Sequence, residues 1–228
     1  LAAVPDFSQL KRVAFRVERS GRVRDLRGFS KGHAVPERAD NFSNRFIARL
    51  AADEIKADLD ETFQTLRESF GFKRRELESS IDEGTGVIRT PAFEYSVGIR
   101  LDAADPSLAI WRREVSALSD PAMVRSPEFQ RAFGTLFNSL VFEFASPLAV
   151  DEFVDRIEED DRAGIKVRCA SDATSCEITV AAFLGAIRVT QSSLTIEGRN
   201  SLSAASLLDQ FFEFIRRFAR AAQLPSGK

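Results

Sequence analysis

Phe93-Glu94-Tyr95-Ser96-Val97-Gly98-Ile99-Arg100-Leu101 carries an apolar residue at every odd position. Strand side chains alternate between faces with a period of two, so this stretch reads as a half-buried strand with one face on a core. Asp102 to Pro106 follows as a turn, and Leu108 to Val115 reads as a strand running back antiparallel. Upstream, Phe46, Ile47, Leu50, Leu59, Phe63, Leu66 and Phe70 recur largely at steps of three and four. That spacing predicts a long helix with one apolar stripe, capped by Asp40 or Ser43 and ended by Gly71. Gly84-Thr85-Gly86 lacks the lysine and following helix of a phosphate loop and reads as a turn between strands.

Further outward, Val13, Phe15 and Val17 share one face of a strand at 11–17, and the glycine-punctuated residues 19–38 read as a loop. Phe129, Phe133 and Leu136 mark a short helix after Pro127. Leu140, Phe142 and Phe144 make a strand face; Ser146-Pro147 then opens a helix striped by Val150, Phe153, Val154 and Ile157. Four short strands are expected near 164–170, 175–181, 185–190 and 193–198. A last helix places Leu207, Leu208, Phe211, Ile215 and Phe218 on one face. The fold class is therefore α+β, with antiparallel sheet packed on long helices. A single domain over residues 10–228 is expected, with loose ends at 1–9 and 224–228.

Composition narrows the function. The 228 residues are enough to bury a full core, and 44% hydrophobic with 29% charged content is ordinary for a folded protein. Twenty Phe against one Trp and one Tyr place most rings in the core, because Phe has no polar handle, and this weighs against carbohydrate binding. A net charge of −2 gives no global pull toward nucleic acid or membrane. No apolar run reaches the roughly 18 residues of a membrane span. The opening Leu1-Ala2-Ala3-Val4-Pro5 lacks the regions of a signal peptide, although a chain can start after one has been cut, and a cytoplasmic location is expected. Two cysteines and one histidine exclude a zinc finger or a Cys/His metal cluster.

The C-terminal order of strand, helix, four strands and long helix resembles one repeat of the TATA-box-binding-protein fold. The residues that carry it are Leu140–Phe144, Val150–Ile157, the four strands and Leu207–Phe218, about 90 residues matched by order and spacing. Strand 11–17, helix 43–70, the strands to Val115 and helix 127–137 would then be a degenerate second copy. The resemblance implies two pseudo-repeats, 10–137 and 138–228, forming a saddle. The family's DNA chemistry does not follow, because such proteins bend DNA with an apolar strand face and inserted phenylalanines. Here the face opposite the helices would carry Lys166, Arg168, Glu177, Thr179, Arg188, Thr190, Thr195 and Glu197.

Lys11, Arg12, Arg16, Arg19, Arg22, Arg24, Arg27, Lys31 and Arg38 face only Glu18, Asp25 and Glu37, a local excess of about six positive charges. Arg19, Arg22, Arg24, Arg27 and Lys31 are the anion-binding candidates of this stretch, since arginines grip phosphate or carboxylate bidentately. The alternative is an internal match with the chain's own acids. The run Asp151, Glu152, Asp155, Glu158, Glu159, Asp160 and Asp161 reads as a solvated face and not a metal site, because no glycine-punctuated calcium loop accompanies it. Lys166, Arg168 and Arg188 are candidates on the sheet face.

Cys169 and Cys176 flank a hairpin tip and share one strand parity. They read as two buried thiols in a cytoplasmic chain, or as a cross-hairpin disulfide where the compartment oxidises. His33 stands without a nucleophile motif and reads as incidental. The reading as a whole is a non-enzymatic binding or assembly module. It would recognise a protein or an anionic ligand, need no metal or cofactor, and bind no specific duplex DNA. The alternative is an enzyme using carboxylate and arginine chemistry in a cleft between the two halves.

Overall fold

The computed structural model describes residues 10–22, 44–82, 84–105, 107–134, 137–145, 147, 150, 154, 165–170, 174–180 and 185–217. Among these residues the chain is an α+β mixture, an antiparallel sheet of ten strands with three helices. Two compact units share the first strand, β1 (Leu10–Arg22). Residues 17–119 and 127–132 form one unit, and residues 10–16, 120–126 and 133–217 the other. No helix of the described residues is long and apolar enough to cross a membrane.

The first unit is organised by helix α1 (Asn44–Phe70) and the strands β2 (Glu78–Asp82), β3 (Thr85–Arg89), β4 (Glu94–Leu101) and β5 (Leu108–Ser116). Their ladder order is β2-β3-β4-β5-β1. Tyr95, Val97 and Ile99 of β4 are buried, with Ile88 of β3 and Val115 of β5 on the same side by register. Helix α1 turns Ala51, Ile55, Leu59 and Leu66 inward, at steps of four, four and seven residues that keep them on one face. It lies so close to β3 at Gly86 that a Cβ there would come within 2.5 Å of Ile55 Cγ2. Gly71 stops the helix at φ +69°, a conformation glycine adopts without steric cost, and its N–H bonds to the carbonyl of Arg67. Phe70, Phe72, Phe93 and Phe129 of helix α2 (Pro127–Phe133) then pack ring to ring, with centroids 5.2 to 6.4 Å apart.

The second unit contains β6 (Phe137–Phe144), β7 (Ile165–Cys169), β8 (Ser175–Val180), β9 (Gly185–Thr190), β10 (Ser193–Leu202) and helix α3 (Ala204–Arg217). Its order is β1-β6-β10-β9-β8-β7. Phe15, Leu140, Phe142, Ile187, Val189, Leu194 and Ile196 form the core beneath α3. Phe211 of α3 meets Phe142 at 4.2 Å between centroids. Ser203 caps α3, its Oγ accepting from the N–H of Ser206, and Arg125 ties the helix down through Asp209 at 2.6 Å.

Two expectations need correction. The strand expected over 11–17 runs on to Arg22, so residues 19–22 are strand and not loop. Glu18, Arg19 and Ser20 are exposed and show no apolar alternation, so no local signal marks them as strand; β1 lies between β5 and β6 in the ladder, both far off in sequence. The expected turn Gly84-Thr85-Gly86 is shifted. Asp82 pairs with Thr85, so Thr85 and Gly86 already belong to β3. Asp40, Ser43, Leu136, Ser146, Phe153, Ile157 and the ends 1–9 and 224–228 lie outside the described residues, as do the side chains of Ile215 and Phe218.

Candidate functional site

Register decides which side chains share a face, and in the second unit it sorts them cleanly. Ile178 pairs with Ile187, which pairs with Ile196, a buried apolar row. The neighbouring row is Arg168, Glu177, Arg188 and Thr195, on the side away from α3. Next but one come Lys166, Thr179, Ala186 and Glu197. Lys166, Arg168, Glu177 and Arg188 are exposed. Arg188 reaches Glu197 at 3.4 Å, whereas Lys166 and Arg168, on the last strand of the ladder, form no ion pair among the described residues. Positive and negative groups thus alternate across strands, the pattern that stabilises cross-strand neighbours. No aromatic residue stands among the described positions of β7 to β10.

At the end of the same hairpin, Cys169 pairs with Cys176, with Cα atoms 4.0 Å apart, and the two sulfurs are joined. Cys176 is buried, but Cys169 is exposed. The two buried thiols favoured by the sequence are therefore replaced by a disulfide with one sheltered and one solvent-facing end.

The first unit holds a polar cluster that the sequence reading missed. Asp58 of α1 is 8% exposed, and Tyr95 of β4 is 2% exposed. The Tyr95 hydroxyl donates to Asp58 Oδ1 at 2.5 Å, while Arg113 of β5 donates to Asp58 Oδ2 through Nε at 2.6 Å and also through Nη2. The Arg113 guanidinium in turn stacks over Trp111 at 4.6 Å. Burial pushes the Tyr95 hydroxyl pKa well above its ordinary value, and the Asp58 charge beside it adds to the rise. The phenol is thus held neutral as a donor. Both Asp58 oxygens are engaged, so the carboxylate is an anchor between α1 and the sheet and not a free base. Two pattern breaks signal the cluster: an acid on the inward phase of α1, and an arginine among the inward odd positions of β5. On the other parity of β5, Arg112 meets the buried Glu114 at 2.5 Å.

Of the anion-binding candidates, Arg19 is exposed on β1, and Arg22 ends that strand. Arg24, Arg27, Lys31 and His33 lie outside the described residues, as does the acidic run from Asp151 to Asp161. Among the described residues no three His, Cys, Asp or Glu side chains come together as a metal site. Compared with known protein families, with characterised proteins and with solved structures, the chain matches none.

Proposed function

We propose that the chain is a binding or assembly module whose working surface is the face of the second unit's sheet that lies opposite α3. The observation that carries this reading is the exposed row Arg168, Glu177 and Arg188, with Lys166 and Arg168 at its outer strand forming no ion pair among the described residues. An acidic segment of a protein partner is the ligand such a face fits. Arginine takes carboxylates bidentately, while Glu177 and Glu197 repel a uniformly charged phosphate backbone. The enzyme reading has less support, because the carboxylate and arginine best placed for chemistry, Asp58 and Arg113, already satisfy each other.

We also propose a fold of the TATA-box-binding-protein type. In its favour, each unit places its first strand beside its last: β1 next to β5, and β6 next to β10. On this reading the fold is a scaffold carrying a different surface from that of its DNA-bending relatives.

The test is a thermal-shift screen with acidic peptides, small anions, nucleic acids and divalent cations. A ligand at about 100 times its dissociation constant stabilises the fold by about 2.7 kcal/mol. The reading expects acidic peptides to stabilise the native chain and to lose that effect in an Arg168→Glu/Arg188→Glu variant. A ligand whose effect survives that variant but vanishes in Asp58→Asn would move the site to the Asp58 cluster and end the proposal.

A further inference from the structure

Strand β2 closes one end of the ladder. All five of its residues, Glu78, Ser79, Ser80, Ile81 and Asp82, are exposed. Ile81, at 46% exposure, is the one large hydrophobic side chain left open among the described residues. Among the described residues neither Glu78 nor Asp82 is ion-paired: Arg89, opposite Glu78, is held by Glu94 at 3.0 Å.

The register fixes which backbone groups are free. Asp82 and Thr85 flank the turn of a tight hairpin, where the flanking pair exchanges both backbone hydrogen bonds. The bonds to β3 therefore fall at Asp82, Ser80 and Glu78. The N–H and C=O groups of Ser79 and Ile81 point outward, and no described residue meets them. Natural edges are commonly blunted by lysine, proline or a bulge. This one has no lysine, proline or bulge; its two carboxylates guard it against another acidic strand, and it offers an exposed isoleucine and four outward backbone groups unpaired among the described residues.

We infer that the outer edge of β2 takes up an extended basic segment of a partner protein as an added antiparallel strand. Backbone bonds at Ser79 and Ile81 would supply the docking, as in other strand additions. Charge selects the occupant. A second copy of β2 centred on Ser80 would set Glu78 against Asp82 twice, and like charges directly opposite destabilise a pair. A segment with Lys or Arg at two positions four apart meets both carboxylates, and an apolar residue next to the first of these meets Ile81. This edge lies in the other unit from the acidic-segment face proposed above and does not depend on it.

The probe is a capped peptide, Thr-Lys-Val-Thr-Thr-Lys-Thr, titrated into the full 15N-labelled chain at low salt. Its control has both lysines replaced by glutamate. Saturable shifts of the Ser79 and Ile81 amides are expected with the lysine peptide and none with the control. Two variants make the test specific. Ile81→Pro removes one outward donor while leaving the β3 bonds intact, a placement that edge strands tolerate. Glu78→Lys/Asp82→Lys leaves the backbone alone and reverses the charges. Each should lower affinity by about tenfold or more, with the melting temperature kept. No shift at about 1 mM peptide, equal binding by both variants, or concentration-dependent pairing of β2 with itself would overturn the inference.

Discussion

Tyr95 is the only tyrosine in the chain, which makes its burial directly measurable. An unfolded tyrosine ionises near its ordinary value of 10.0, whereas here burial and the Asp58 charge hold the proton on well beyond that pH. The folded pKa is the raised one, so the folded state keeps the proton longer than the unfolded state does. The contribution is therefore fully present below about pH 10 and is lost as pH rises above it, by roughly 1 kcal/mol per pH unit. Absorbance of tyrosinate near 295 nm should stay flat for the native chain through pH 11 and rise near pH 10 in urea. Tyr95→Phe should remove that alkaline loss of stability relative to the native chain. A native titration at pH 10 would mean that Asp58 and Tyr95 are not paired as described. The partners, Asp58 and Arg113, are separated by 55 positions, and only the folded chain reveals that each pattern break answers the other.

At the scale of elements, Gly86 and Gly98 make an internal comparison. They stand on paired strands of one ladder, but a Cβ at Gly86 would press into Ile55 and Leu59, while at Gly98 its nearest neighbour would be Thr85 Oγ1 at 3.5 Å. Gly86→Ala should force α1 away from β3 and cost about 1–3 kcal/mol, as overpacking does. Gly98→Ala should be neutral or add up to about 1 kcal/mol by restricting the unfolded chain. Equal effects in urea denaturation would show that α1 does not rest on β3 at this point. Most elements were legible because their signals are local: alternation wrote β4, and three-and-four spacing wrote α1 and α3. The tail of β1 and all of β2 were not placed in this way. Residues 18–20 and Glu78–Asp82 are exposed along their length and owe their extended form to partner strands. The charged face of β7 to β10 could be read because parity alone specifies it; the Asp58 cluster could not, because it depends on which helix residue meets which strand.

For the molecule as a whole, net charge sets the expectation for nucleic acid. At −2 the chain repels a polyanion weakly overall, yet residues 11–38 hold a local excess of about six positive charges. These two facts predict weak, sequence-independent attraction to duplex DNA and nothing tighter. Any such binding works by releasing counterions, so it should fall steeply and linearly in log–log form as salt rises. Specific binding needs more. A DNA-bending sheet requires an apolar face with side chains that wedge base steps, and the described strands β7 to β10 offer threonines, serines and charges of both signs in that place. Glu177, exposed between Arg168 and Arg188, would stand against the phosphates of any duplex laid on that face. The decisive measurement is a titration of duplexes of different sequence at about 0.15 M salt, where charges are screened over roughly 8 Å. Binding weaker than about 10 µM and indifferent to sequence is expected. Sub-micromolar, sequence-dependent binding that also bends the DNA would extend the proposed fold to the DNA chemistry of that family, and would displace the protein-binding reading of the charged face.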